Sequence, residues 1–144
     1  MTSVGEQLPE LVIEASVRNI VATAIASRDY QDVHHDVALA QQRGSKTIFT
    51  NILTSNGYVL KYVTDWAGPL SVIRTSTLRL GVPNYAGDTM TMRGEVKAVD
   101  GKRVTVDVRG TNSLGDHVIA LSHGHGFEVT PDAQPPIDFT ALPS

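Results

Sequence analysis

Three features of the chain predict an α+β fold, an antiparallel sheet wrapped around one long helix. One long helical pattern lies mid-sequence, between Asn51 and Gly68. From Leu70 onward the hydrophobic period changes to two, the spacing of strands that bury one face. Asp100-Gly101 sits between two such runs and closes a tight hairpin. A mostly apolar helix and a set of one-faced strands each need a partner, and each can cover the other.

The first strand candidate is Glu10 to Ala15, following Pro9. Ser16 and Asn19 offer capping oxygens to a short alanine-rich helix over Ile20 to Ala26, which should fail near Ser27-Arg28-Asp29. Tyr30 to Lys46 is polar, too long for a turn and too polar for a core element, which is how an overhanging functional segment reads. The long helix follows, capped by Thr50 or Asn51, with Ile52, Leu53, Val59, Leu60, Val63 and Trp66 as its apolar face. Gly57 inside it costs about 1 kcal/mol relative to alanine, so close packing against a neighbouring backbone is expected there. Gly68-Pro69 stops it. Four strands come next, over Leu70–Leu80, Asp88–Asp100, Lys102–Thr111 and His117–Val129, with a second hairpin at Leu114-Gly115-Asp116. Residues 1–129 form the domain, and 130–144, with four of the seven prolines, form a tail.

Composition narrows the chemistry. A chain of 144 residues suits one domain. The absence of cysteine excludes a disulfide framework, a thiolate metal site and a cysteine nucleophile. A net charge of −3 argues against nucleic-acid binding. With no basic, apolar opening and no long apolar run, a cytoplasmic location is expected. Catalysis then falls to Asp, His, Ser, Thr, Asn and the backbone.

The segment Ser27 to Asp36 concentrates three carboxylates and two of the five histidines. Asp29 falls where the short helix ends, facing the negative end of its dipole, so a carboxylate is kept there either because a neighbour compensates it or because a raised pKa is useful. His34, five residues on, can bring a ring nitrogen to the same point, and an Asp and a His converging on one water make an acid/base pair. A solvated polar loop is the competing reading, and Asp32, His35 and Asp36 read as turn-formers. His123-Gly124-His125 puts two imidazoles on one strand face, but with no cysteine and no carboxylate at ligand spacing no metal site is expected.

These residues carry a resemblance. The chain resembles the MaoC-like hydratases and dehydratases of the hot-dog superfamily, whose pattern runs G-D-x-N-P-[LIV]-H-x-[ND] and then G…I-A-H-G-M at the start of the central helix. Arg28-Asp29-Tyr30-Gln31-Asp32-Val33-His34-His35-Asp36 follows the first part and Gly44-Ser45-Lys46-Thr47-Ile48-Phe49-Thr50-Asn51-Ile52-Leu53 the second. Asp29 and His34 fall on the family's catalytic pair. Arg28 replaces the motif glycine, Gln31-Asp32 its Asn-Pro, and Thr50-Asn51 its His-Gly. With Tyr62 to Pro69 and Leu78 to Pro83, the chain is most similar to the small subunits of actinobacterial enoyl-CoA hydratases of steroid side-chain degradation.

The resemblance implies hydration of an enoyl-CoA, with Asp29 and His34 holding the water. The thioester oxygen would meet a backbone N–H at the start of the long helix, among Thr50, Asn51 and Ile52, where unpaired amides and the dipole favour an anion. Lys46, Arg74 and Arg79 are the candidate contacts for the CoA phosphates. No cofactor is implied, CoA being part of the substrate. The implied partner is a second MaoC-like subunit, or a second copy of the chain, because a lone protomer exposes a sheet edge. An acyl-CoA thioesterase of the same fold, and a non-catalytic acyl-CoA-binding or scaffold subunit, are the alternatives.

Overall fold

A computed structural model describes residues 2–121 and 127–131. Strand β1 is Leu11–Glu14 and helix α1 is Val17–Ala26, capped by Ser16, whose Oγ accepts the Asn19 N–H at 3.0 Å. The polar segment that follows is more ordered than its composition indicates. It holds a 3-10 turn, Asp32–His34, and a short helix α2, Val37–Gln42, capped by the Asp36 carboxylate on the Leu39 N–H. Six residues are too few for a helical period to show, so only the cap signalled it. Nor is the segment wholly outside the core, since Ala40 packs with Ala15, Ile20 and Ile48 in a small second cluster.

Helix α3 spans Ile52–Ala67, with Asn51 as its cap and Gly68 ending it at φ 102°. Its buried side is not the expected stripe. Val59 and Val63 are buried, joined by Thr54, Ser55, Tyr62 and Ala67, whereas Ile52 and Leu53 are 56% and 55% exposed. Of the polar side chains buried in the first turns, Ser55 bonds His117 on the sheet, whereas the Thr54 hydroxyl has no hydrogen-bond partner among the described residues.

The remaining strands are β2 Val72–Ser76, β3 Arg79–Leu80, β4 Thr89–Asp100, β5 Arg103–Asn112, β6 Gly115–Ala120 and β7 Phe127–Thr130. Two expected strands are each divided: Leu70–Leu80 into β2 and β3, and His117–Val129 into β6 and β7. Together the seven strands make one antiparallel sheet in the order β1-β4-β5-β6-β3. The far side of β5 is shared, with β6 beside Val108–Asn112 and β7 beside Val104–Val106. Strand β2 then pairs with β7. Both hairpins form, the first pairing Asp100 with Arg103 and the second Asn112 with Gly115.

Met90, Met92 and Val96 on β4, and Val104, Val106 and Val108 on β5, point at α3 and meet Val59, Tyr62 and Val63. Burying such a side chain contributes about 1.5–3 kcal/mol, so this layer supplies most of the adhesion. The close approach expected at Gly57 lies elsewhere. A Cβ on Gly57 would meet nothing within 4 Å, while one on Gly94 would sit 3.1 Å from both Leu8 and Tyr62. The outer face carries the exposed pairs Arg93–Glu10, Lys97–Glu95 and Arg109–Asp116, each worth little. No helix among the described residues is long and apolar enough to cross a membrane. His123-Gly124-His125 and most of the expected tail lie outside the described residues.

Candidate functional site

The site begins with the way α1 ends. The Arg28 N–H bonds the Ile25 carbonyl and the Asp29 N–H bonds the Ala24 carbonyl, both at 2.9 Å. That pair of bonds closes a helix with its next residue in the left-handed region, and Arg28 has φ 54°. The family's glycine at this position is thereby explained, and Arg28 occupies it at a cost of about 1–2 kcal/mol. The turn directs Asp29 back toward the start of α3.

His34 arrives from the 3-10 turn. Its Nδ1 lies 2.7 Å from the Phe49 carbonyl, and the Phe49 ring stands edge-on to it at 4.8 Å. A carbonyl only accepts, so Nδ1 carries a proton and Nε2 is the nitrogen turned toward the carboxylate. That nitrogen is 3.4 Å from Asp29 Oδ2. His34 is 5% exposed, so its ring is fixed.

Asn51 caps α3 as expected and adds a contact that the sequence did not reveal. Its Oδ1 caps α3 on the Thr54 N–H at 3.2 Å, while its Nδ2 donates to Ser27 Oγ at 2.9 Å and to Asp29 Oδ2 at 3.1 Å. The other carboxylate oxygen accepts the Gln31 N–H at 3.3 Å. Burial pushes the Asp29 carboxyl up, but the Asn51 amide, the Gln31 N–H and the neighbouring His34 and His35 outweigh it and hold it below its ordinary value. Of the two reasons for a carboxylate at this helix end, compensation by neighbouring donors is the one that matches this direction.

The other expected residues divide. Ile52 is the first residue of α3, where helix N–H groups lack an intrahelical acceptor. Thr50 is buried with its hydroxyl on Asn84 Nδ2 at 3.4 Å, facing a polar network with Asn112 rather than Asp29. Lys46, Arg74 and Arg79 are exposed on separate elements, and none bonds to the Asp29–His34–Asn51 cluster. Asp32 pairs with Arg43 at 2.7 Å, Asp36 caps α2, and His35 Nε2 donates to the Asp29 carbonyl at 2.6 Å. Beside the cluster, Ala26, Ser27, Leu53, Gly57 and Tyr58 line an apolar groove of about 280 Å³. Trp66, away from it, donates to Glu6 at 3.2 Å.

Deeper in the fold, Ser55 Oγ lies 2.7 Å from His117 Nε2, and His117 Nδ1 donates to the Val82 carbonyl at 2.6 Å. Burial lowers the His117 pKa, against the Val82 carbonyl. The pair was missed because the two residues stand on different elements with no local pattern linking them.

One long helix lying in a single antiparallel sheet, with an Asp and a His meeting at the helix's N-terminal end, defines a hot-dog protein. No family model matches the chain. It is 58% identical over 120 residues to the 3-oxo-4,17-pregnadiene-20-carboxyl-CoA hydratase beta subunit of Mycobacterium tuberculosis, across 83% of this chain and 93% of that protein. A chain in the crystal structure of the ChsH1–ChsH2 complex from Mycobacterium tuberculosis superposes with a TM-score of 0.85 at 52% identity, covering 92% of this chain and 100% of that one. The R-hydratase PhaJ1 from Pseudomonas aeruginosa shares the fold, with a TM-score of 0.77 at 24% identity over 96% of this chain and 93% of that one. The chain belongs to the MaoC-like hydratase family.

Proposed function

We propose that this chain is the catalytic subunit of a heteromeric enoyl-CoA hydratase acting on a steroid side-chain acyl-CoA, with Asp29 and His34 activating the water. The observation that carries the reading is the 3.4 Å approach of His34 Nε2 to Asp29 Oδ2, with Nδ1 committed to Phe49. A water bound by both acceptors has its oxygen lone pairs free for Cβ. As the C–O bond forms, the pair takes one water proton, the π electrons move to Cα, and negative charge develops on the thioester oxygen. A main-chain N–H at Asn51 or Ile52 receives that charge, a contact worth about 2.7–4 kcal/mol in the transition state. The proton held by the pair then returns to Cα, which balances the addition of one water.

The substrate class and the partner come from the Mycobacterium tuberculosis relative, a hydratase beta subunit, and its complex. The apolar groove beside Ser27 suits a hydrocarbon acyl group. Lys46, Arg74 and Arg79, or the partner, would supply cations for the CoA phosphates. A thioesterase would need a carboxylate on the long helix. Asp65, the one α3 offers, is exposed and paired with Lys61. A non-catalytic role would leave Asp29 or His34 facing solvent, yet they face each other.

The test is co-expression with candidate MaoC-like partner subunits, followed by a spectroscopic hydration assay on steroid and short-chain enoyl-CoAs. Steroid turnover only in the mixture supports the proposal. Crotonyl-CoA turnover by this chain alone contradicts its heteromeric part.

A further inference from the structure

We infer that Asn51 is a positioning residue for the hydration step, its side-chain amide locking the Asp29 carboxylate in the orientation that holds the water while its carbonyl oxygen anchors α3. The inference rests on the catalytic reading of Asp29 and His34 and deepens it. Asn51 is 2% exposed, so its amide has no solvent partner to exchange with. The geometry uses both ends of that amide. Oδ1 is held by the Thr54 N–H, which fixes the amide plane, and Nδ2 then faces Ser27 Oγ and Asp29 Oδ2 together. With Gln31 N–H on Oδ1 of Asp29, each carboxylate oxygen has its own donor, so the carboxylate cannot rotate without breaking one.

The site is thereby built differently from the family pattern. A glycine at this position offers a main-chain N–H and nothing more. Here the same residue keeps that N–H and adds a side chain that ties the end of α1 to the start of α3. The groups facing Asp29 are few: His34 and His35 follow it in the chain, and Ser27 and Asn51, from α1 and the α3 cap, do not titrate. Removing the Asn51 donor therefore leaves the carboxylate with less support for its charge, and it protonates at higher pH.

The experiment measures the pH dependence of kcat/KM for hydration by the subunit in its active complex, for wild type, Asn51→Asp and Asn51→Ser. Both variants keep a capping oxygen for α3 and the main-chain N–H, so folding and the anion contact are preserved. Melting temperatures within a few degrees of wild type check this. The expected result is an acid limb moved to higher pH, by about one unit or more in Asn51→Asp, where a second carboxylate faces Asp29, and by less in Asn51→Ser. In both, kcat should fall more than KM rises. Unchanged profiles in both variants, alongside an inactive Asp29→Asn, would overturn the positioning role and leave the catalytic assignment standing. A fully active Asp29→Asn would overturn the catalytic assignment, and with it this inference.

Discussion

Arg28 stands in a left-handed conformation that most side chains avoid, and that single φ of 54° sets where Asp29 points. Replacing it by glycine should stabilise the protein by up to about 1 kcal/mol, the relieved strain being partly offset by the freer unfolded chain. Chemical denaturation measures this directly. The Ser55–His117 pair makes a second residue-scale statement. Ser55→Ala leaves a buried imidazole nitrogen without its donor and should cost about 1–3 kcal/mol. His117 also makes stability depend on pH. Because its folded pKa lies below its unfolded value of about 6.5, the unfolded chain takes up the proton first on acidification, and stability falls as pH drops through that value. His117→Gln keeps a donor and an acceptor but cannot titrate, so denaturant midpoints between pH 7 and pH 5 should show a shallower slope than wild type. The approach of His34 to Asp29 was readable at this scale because six residues of chain span the two. Asn51 was readable only as a cap and a main-chain donor. Its amide meets Asp29 across 22 residues, a contact that exists only after α1 and α3 have packed.

Among the elements, the glycines of α3 and β4 reverse the expectation. Gly57→Ala should stabilise α3 by about 1 kcal/mol, since alanine is the better helix former and its methyl meets nothing. Gly94→Ala should destabilise by about 1–3 kcal/mol, since its methyl is forced against Leu8, Tyr62 and the Asp107 carbonyl. Opposite shifts in melting temperature for the two variants would confirm which glycine carries the helix–sheet approach. Helix α3, its cap and its Gly68 stop were legible because local chemistry sets them. The division of Leu70–Leu80 into β2 and β3 was not, because alternation continues through it. The break appears only when the strand changes partner from β7 to β6.

At the scale of the whole molecule, one long helix is held in one sheet, and Asp29, His34 and Asn51 gather where the end of α1, the 3-10 turn and the start of α3 converge. The core fixes that meeting point from below, through Val59, Tyr62 and Val63. Lys46, Arg74 and Arg79 stand on separate parts of the fold, and none bonds to the Asp29–His34–Asn51 cluster. The central claim is that Asp29 and His34 activate water at this convergence. It is tested most directly by the hydration rate of Asp29→Asn in the purified complex, with circular dichroism and melting temperature verifying the fold. The expected result is a folded, assembled complex whose turnover falls by several orders of magnitude. Turnover within a few-fold of wild type would contradict it.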